Sequence, residues 1–394
     1  MISLSATHIS HAVTDVAPTG DTAASLRDDT AAARTHRYQR WHAKHRDAFR
    51  RIQRAVSETR ALIDVRALHV SDSDIDVPPV VFRTRDTGAV LWDCALCPQM
   101  TIVPAGVFTI GSPPDEPGRG KDESPQRRIA ILRPFAVSRF EIMRGEYAAF
   151  LRATGHPVSK ECVTDRVHHG TWAPESNTTL NDPGFPQTDR HPVVCVTWDD
   201  AQAYIAWLNA RTGGRYRLLT ESEWEYVARA GATAAFPWGA SADDGCTQAN
   251  GTDAVFAEHY ANAAVAKCRD GALNTAPVGA YRANAFGLYD MIGNAEEWVA
   301  DCATMAYASL PADGSADLSG DCARHPVRGG SWGSEVKDAR VANRVRYPAS
   351  QVDDSVGIRV AKTLVIDPPQ HHFNSNDDNI HVSEQEVRSP PSVR

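Results

Sequence analysis

Cysteine is the residue type with the most chemistry to offer in this chain. The 8 cysteines are Cys94, Cys97, Cys162, Cys195, Cys246, Cys268, Cys302 and Cys322. An even count with mostly wide spacing fits disulfides made in an oxidising compartment, and free thiols of a cytosolic enzyme fit the count as well. Cys94 and Cys97 form a CxxC pair, read either as a structural bridge or inert thiols, or as a redox or metal-binding pair. A four-ligand zinc site needs a second CxxC or an HxxxH, and the chain has neither. It also lacks a Ser-His-Asp set, a Gly-rich phosphate loop and an HExxH motif.

The elements that must position these residues follow from composition and periodicity. The chain has 394 residues and a net charge of −8, with 42% hydrophobic and 23% charged residues, which excludes a collagen-like or wholly disordered chain. Mild acidity gives no argument for a nucleic-acid partner. No apolar run approaches the ~18 residues of a transmembrane helix. Residues 1–29 read as a flexible arm. Over 30–66, Trp41, Phe49, Ile52, Val56 and Leu62 form the apolar side of an amphipathic helix. Its other face carries Arg34, Arg37, Arg40, Lys44, Arg50 and Arg54, and either is solvated or contacts a partner or an anionic surface. Residues 67–90 read as linker, 91–365 as one domain, and 366–394 as a disordered tail.

Inside the domain, Asp199 and Asp200 open a helix that Gly213 stops. A strand from Tyr216 leads into the capping box Thr220-Glu221-Ser222-Glu223 and a second helix ending at Gly231. A third helix is expected over about 144–152. Gly, Pro and Asn interrupt the rest every few residues, so short strands and long loops should dominate.

These residues now fall into an order. Met100 to Ser112 resembles the opening of the formylglycine-generating-enzyme, or sulfatase-modifying-factor, family. Trp198-Asp199-Asp200-Ala201 and Arg217-Leu218-Leu219-Thr220-Glu221-Ser222-Glu223-Trp224 are similar to its middle. Phe286 to Trp298, Arg328-Gly329-Gly330-Ser331-Trp332 and Gly357-Ile358-Arg359 resemble its end. The resemblance implies an α+β, C-type-lectin-like fold, loop-rich with little regular secondary structure, here preceded by the N-terminal helix.

The formylglycine-generating enzymes oxidise a substrate cysteine with dioxygen. They hold Cu(I) on two cysteines shortly after the Gly-Gly-Ser-aromatic motif, because a soft ion prefers thiolates. Here Ser334 stands about where the first should be, and no cysteine follows Cys322. No copper is therefore expected. Cys302 and Cys322 are read as a disulfide closing the loop before the motif. The ergothioneine sulfoxide synthases also resemble this domain but use a histidine-held iron in an extra helical bundle. His36, His42 and His45 share one helix without the rest of such a bundle.

The resemblance also implies two structural Ca²⁺ ions held by hard oxygens. The first would use the side chains of Asn262 and Asp270 with the carbonyls of Ala263 and Ala272. The second would use Asp290, Gly293, Ala295 and Glu297. Two functions remain. In the first, a non-catalytic, calcium-stabilised scaffold binds a protein or peptide partner through 333–355, with exposed Arg346 and Tyr347 as anchors; related domains in diversity-generating retroelements vary this segment to change ligand. In the second, an oxidoreductase works by a non-copper mechanism on a peptide or small molecule. Its cleft would be lined by Ser331, Ser334, Glu335, Glu296, Arg340 and Asn343. Glu296 stands where the copper enzymes have an aromatic residue, and a carboxylate there is a candidate base. The lack of a signal peptide leans towards the cytoplasm; the even cysteine count and the calcium sites argue for export.

Overall fold

The computed structural model of the chain describes residues 88–164, 172–260 and 263–364. The arm, the basic helix expected over 30–66, nearly all of the linker, the tail and Asn262 lie outside the described residues.

In chain order the elements are β1 (Val90–Leu91), β2 (Met100–Val103), β3 (Gly106–Ile110), β4 (Arg127–Ile131), β5 (Phe135–Ser138), α1 (Arg144–Thr154), β6 (Glu161–Thr164) and β7 (Ala173–Ser176). Then come α2 (Trp198–Thr212), β8 (Tyr216–Leu218), α3 (Glu221–Arg229), α4 (Ala254–His259), β9 (Glu296–Trp298), β10 (Arg324–Arg328), β11 (Val345–Pro348), β12 (Val356–Gly357) and β13 (Val360–Thr363). Short strands separated by long connections agree with the loop-rich α+β expectation. Among the described residues no helix is long and apolar enough to cross a membrane.

The main sheet runs β1-β2-β5-β13-β8. Its central strands are buried on both faces, so they read as continuous apolar runs. Alternate side chains feed two cores. Met100, Ile102, Ala136 and Val360 join Tyr204, Ile205 and Leu208 of α2 on one side. Val103, Phe135, Val137 and Ala361 join Trp224, Val227 and Ala228 of α3 on the other. Fully burying side chains such as Ile102 or Phe135 contributes about 1.5–3 kcal/mol each.

The helices start where their caps require. The Thr197 hydroxyl accepts the Asp200 N–H at 3.0 Å and the Asp200 carboxylate accepts the Thr197 N–H at 2.9 Å. Thr220 and Glu223 repeat this box at 3.0 Å each way. Gly213 ends α2 in the left-handed region, at φ 62°. The stop of α3 falls at Ala230, at φ 43°, one residue before the expected glycine. The short α4 has no counterpart in the sequence reading; the Asp253 carboxylate caps it by accepting the Val255 and Phe256 N–H groups.

The second sheet runs β11-β10-β9-β12, with β12 parallel to β9. Trp298 lies opposite Val327 and Val327 opposite Val345; His325 lies opposite Tyr347 and Glu297 opposite Arg328. Directly opposed residues share a face and neighbours along a strand do not. One face therefore carries Glu296, Trp298, His325 and Tyr347, and the other Glu297, Arg328 and Arg346.

All eight cysteines are bridged: Cys94–Cys97, Cys162–Cys195, Cys246–Cys268 and, as the sequence reading expected, Cys302–Cys322.

Candidate functional site

The Gly-Gly-Ser-Trp turn organises the region where chemistry was expected. Gly330 takes φ 66°, and a Cβ there would lie 3.1 Å from the Ala339 Cα, so only glycine lets the following loop fold back this closely. Ser331 and Ser334 are brought together: the Ser331 N–H donates to the Ser334 hydroxyl at 2.9 Å, and the two hydroxyls are 3.1 Å apart. Thr252 donates to the Ser334 carbonyl at 2.8 Å. Trp332 is buried with Phe185 and Phe256. Beside it Trp172 keeps 37% of its surface exposed, lies against Gly333 and stacks on Tyr260 with ring centroids 5.9 Å apart. An aromatic wall thus borders the turn.

The donors for copper are missing. The Ser334 hydroxyl is hard and stays protonated near neutral pH, and every cysteine is held in a disulfide. No thiolate is left to hold Cu(I).

A cavity of about 40 Å³ lies behind Ser334, with Ala339, Asn250 and Asp270 also on its wall. The Asp270 carboxylate accepts the Gly251 N–H at 2.9 Å and the Ala272 N–H at 2.8 Å. Burial pushes its pKa up to about 6. Asn250 is 1% exposed, donates to the Asn274 carbonyl and to Asn294, and leaves its Oδ1 without a hydrogen bond. The sequence reading missed Asn250. Its one signal, Asn250-Gly251, reads as an ordinary turn pair. At the second expected calcium site Asp290 Oδ2 accepts the Gly279 N–H at 2.7 Å while Oδ1 is buried without a partner. Glu297 accepts from Trp224 Nε1 at 2.6 Å and from Arg359 Nε at 2.7 Å. Among the described residues no three His, Cys, Asp or Glu side chains converge on a metal position. A cation here would therefore depend on one or two side-chain oxygens plus main-chain carbonyls, which is the donor mixture Ca²⁺ accepts.

The six side chains expected to line one cleft do not do so. Arg340 is buried elsewhere, on Glu116 at 2.7 Å and Glu123 at 2.5 Å. Asn343 is half-buried, its N–H on the Arg340 carbonyl at 3.0 Å. Glu335 is exposed and pairs with Lys337 at 2.8 Å. The anchors expected to be exposed are half-buried. Arg346 pairs with Asp122 at 2.9 Å and donates to the Thr304 carbonyl at 2.9 Å. The Tyr347 ring meets Trp298 edge-on at 6.3 Å. Both lie on β11, an edge strand of the second sheet, so the segment 333–355 is partly framework rather than a free polar loop.

Glu296 is 4% exposed and bonds to the Tyr347 hydroxyl. Burial, then Asp353 and Asp338, push its pKa up to about 8, against the lowering pull of Tyr347.

This fold and turn define a class. Residues 90–364 match the sulfatase-modifying factor enzyme 1-like domain, and the chain belongs to that family. The bovine (Bos taurus) formylglycine-generating enzyme is 32% identical over 243 residues, 54% of this chain and 60% of that protein, so the chain spans well under two thirds of its length. The bovine inactive C-alpha-formylglycine-generating enzyme 2 is 28% identical over 67% of this chain and 87% of its own length. The solved structure of PvdO from Pseudomonas aeruginosa is 38% identical, covers 71% of this chain and 99% of its own, and superimposes with a TM-score of 0.60.

Proposed function

We propose that the chain is a calcium-stabilised member of the family that works without copper and binds a peptide or protein partner beside Gly333. The observation that carries this reading is Trp172, exposed and stacked on Tyr260 next to the turn. Aromatic side chains on a rigid base dominate binding hot spots, and truncating one costs about 2 kcal/mol, roughly thirtyfold in affinity. Arg346 and Tyr347 then belong to the framework of the second sheet, on Asp122 and Trp298, and not to the contact surface. Calcium is supported by the two buried oxygens without hydrogen bonds, Asn250 Oδ1 and Asp290 Oδ1. Asn250 and Asp270 would hold one ion, and Asp290 and Glu297 the other, each with nearby carbonyls. The four bridges support an oxidising compartment, against the cytoplasmic expectation. The test is a peptide array read with the wild-type chain and with Trp172→Ala. Peptides should bind the wild type, and the variant should lose about thirtyfold with an unchanged melting temperature. Equal binding by both would remove the aromatic wall from function.

A second, enzymatic reading is favoured by the surroundings of Glu296. This carboxyl faces the Tyr347 phenol, Asp353 and Asp338. No guanidinium holds it, so its proton could be exchanged with a molecule admitted beside Tyr347. Retained peptides are incubated in air with wild type and with Glu296→Gln and then weighed by mass spectrometry. A product formed by the wild type alone supports the reading; one formed equally by both ends it.

A further inference from the structure

The CxxC pair is not absorbed by either reading above. Cys94 and Cys97 close a turn between β1 and β2, with the Cys97 N–H on the Cys94 carbonyl at 3.0 Å. The other three bridges join residues 33, 22 and 20 apart, and this one joins residues 3 apart. Loop-closure entropy grows with loop length, so this bridge constrains the unfolded chain least. Stability therefore explains it worst of the four.

The surface around it is also unusual. Of the nine large apolar side chains exposed among the described residues, Val90, Trp92 and Leu96 fall within seven consecutive residues that include Cys94. They are 43%, 46% and 44% exposed, while Cys94 and Cys97 are buried at 4% and 2%. The Trp92 indole N–H donates to the Cys97 carbonyl at 2.8 Å, so the exposed ring is fastened to the bridged turn itself. Asp93, between the ring and the bridge, accepts from the Tyr216 hydroxyl at 2.5 Å and from Lys362, tying the turn to β8 and β13. Both cysteines are buried, so any thiol, small or large, reaches the bridge only when the turn opens. An apolar rim fixed to the same turn gives a larger partner a surface to dock on before the turn yields.

We propose that Cys94–Cys97 is a thiol–disulfide exchange site, recognised through Trp92 and Leu96 by a protein carrying a reactive dithiol. The partner's thiolate attacks one sulfur of the bridge, forming a mixed disulfide and releasing the other sulfur as a thiolate. The partner's second thiol then attacks the mixed disulfide. Two electrons and two protons pass to Cys94 and Cys97, and the partner leaves as a disulfide.

The test uses the full chain with its native bridges. It is treated with reduced thioredoxin or with dithiothreitol, quenched in acid, alkylated, and mapped by peptide mass spectrometry. With thioredoxin, Cys94 and Cys97 should be labelled at least tenfold faster than the other six cysteines. The double variant Trp92→Ser/Leu96→Ser should slow labelling by thioredoxin at least fivefold and leave labelling by dithiothreitol unchanged. Labelling of another bridge first, or of all four at one rate, overturns the exchange site. Equal slowing with both reductants, or with neither, overturns recognition through the rim. If the double variant does not fold, competition by detergent micelles or by a Trp- and Leu-containing peptide on the wild-type chain replaces it. Selective inhibition of the thioredoxin reaction is then the expected result, and no inhibition overturns docking.

Discussion

Glu296 and Glu297 are neighbours on one strand, and they show how differently the two faces of a small sheet treat the same side chain. Glu297 faces Arg359 and Trp224, and the same face carries Arg328, which reaches Glu225 at 2.5 Å, Glu221 at 3.2 Å and the Tyr307 hydroxyl at 2.8 Å. Every carboxylate there has a donor in reach. Glu296 turns the other way, to a phenol and two further acids. A buried charge without an opposite charge is expensive, so this carboxyl stays protonated near neutral pH and bonds to the Tyr347 hydroxyl, where Glu297 stays with its guanidinium. One residue of register separates framework from candidate chemistry.

The largest expected effect breaks the framework face. Arg328→Met removes one partner from a buried network and leaves carboxylates under-paired, at a cost of about 3–5 kcal/mol. Glu296→Gln, on the other face, should change stability by less than about 1 kcal/mol, because the amide replaces a carboxyl that burial already keeps protonated. Urea midpoints of the two variants decide the point. A Glu296→Gln loss as large as that of Arg328→Met would erase the distinction between the faces.

Calcium comes next. An ion that binds the native state alone adds about 2.7 kcal/mol at a hundredfold excess over its dissociation constant. A chelator should lower the melting temperature, and Asn250→Ala and Asp270→Ala should each shrink that shift. If Asn250→Ala responds to chelator as the wild type does, its unpartnered oxygen has another explanation.

Glu146 on α1 sharpens the comparison by pH. It too is buried, with the Met143 N–H as a donor at 2.9 Å and with burial as the first cause of its shift. Its folded pKa is about 7 against an ordinary 4.5. Between those values the folded state binds more protons than the unfolded one, so this group's share of stability is full below 4.5 and declines as pH rises towards 7. The slope reaches at most about 1.4 kcal/mol per pH unit. Glu146→Gln should flatten the stability profile in that window, measured by denaturation at a series of pH values. An unchanged slope would mean that water reaches the carboxyl.

How much of this was legible in the residues varies with the range of the interactions. Thr197, Asp200, Thr220 and Glu223 announce their helices because a capping box is local, closed within four residues. Cys302 and Cys322 read as a bridge because they flank one loop before the Gly-Gly-Ser-Trp motif, whereas the spacing of the other widely separated cysteines permits several partners. Arg340, Arg344 and Arg346 read as a polar recognition loop because their partners, Glu123, Glu221 and Asp122, lie more than a hundred residues away. The faces of Glu296 and Tyr347 depend on the register of β9, β10 and β11, which no local pattern sets. Asn250 escaped notice because an Asn-Gly pair says turn, and only burial shows an oxygen with nothing to bond.

The smallest expected effect is none at all, and it asks which side of the turn holds the chemistry. Ser334→Cys, loaded with copper, should still leave a sulfatase-type cysteine peptide unconverted. Cu(I) needs two thiolates to leave a third position for the substrate sulfur, and the variant supplies one, because the eight native cysteines remain bridged. The new thiol would also sit against Ser331, whose hydroxyl is 3.1 Å from the Ser334 oxygen and offers a hard, protonated neighbour rather than a second soft donor. The peptide is scored for aldehyde by mass spectrometry, with free copper as control. Formylglycine appearing with this single change would place the reactive centre at Ser334. Glu296 would then be an unusual but inert member of the core, and the contrast between the two faces would lose its functional meaning.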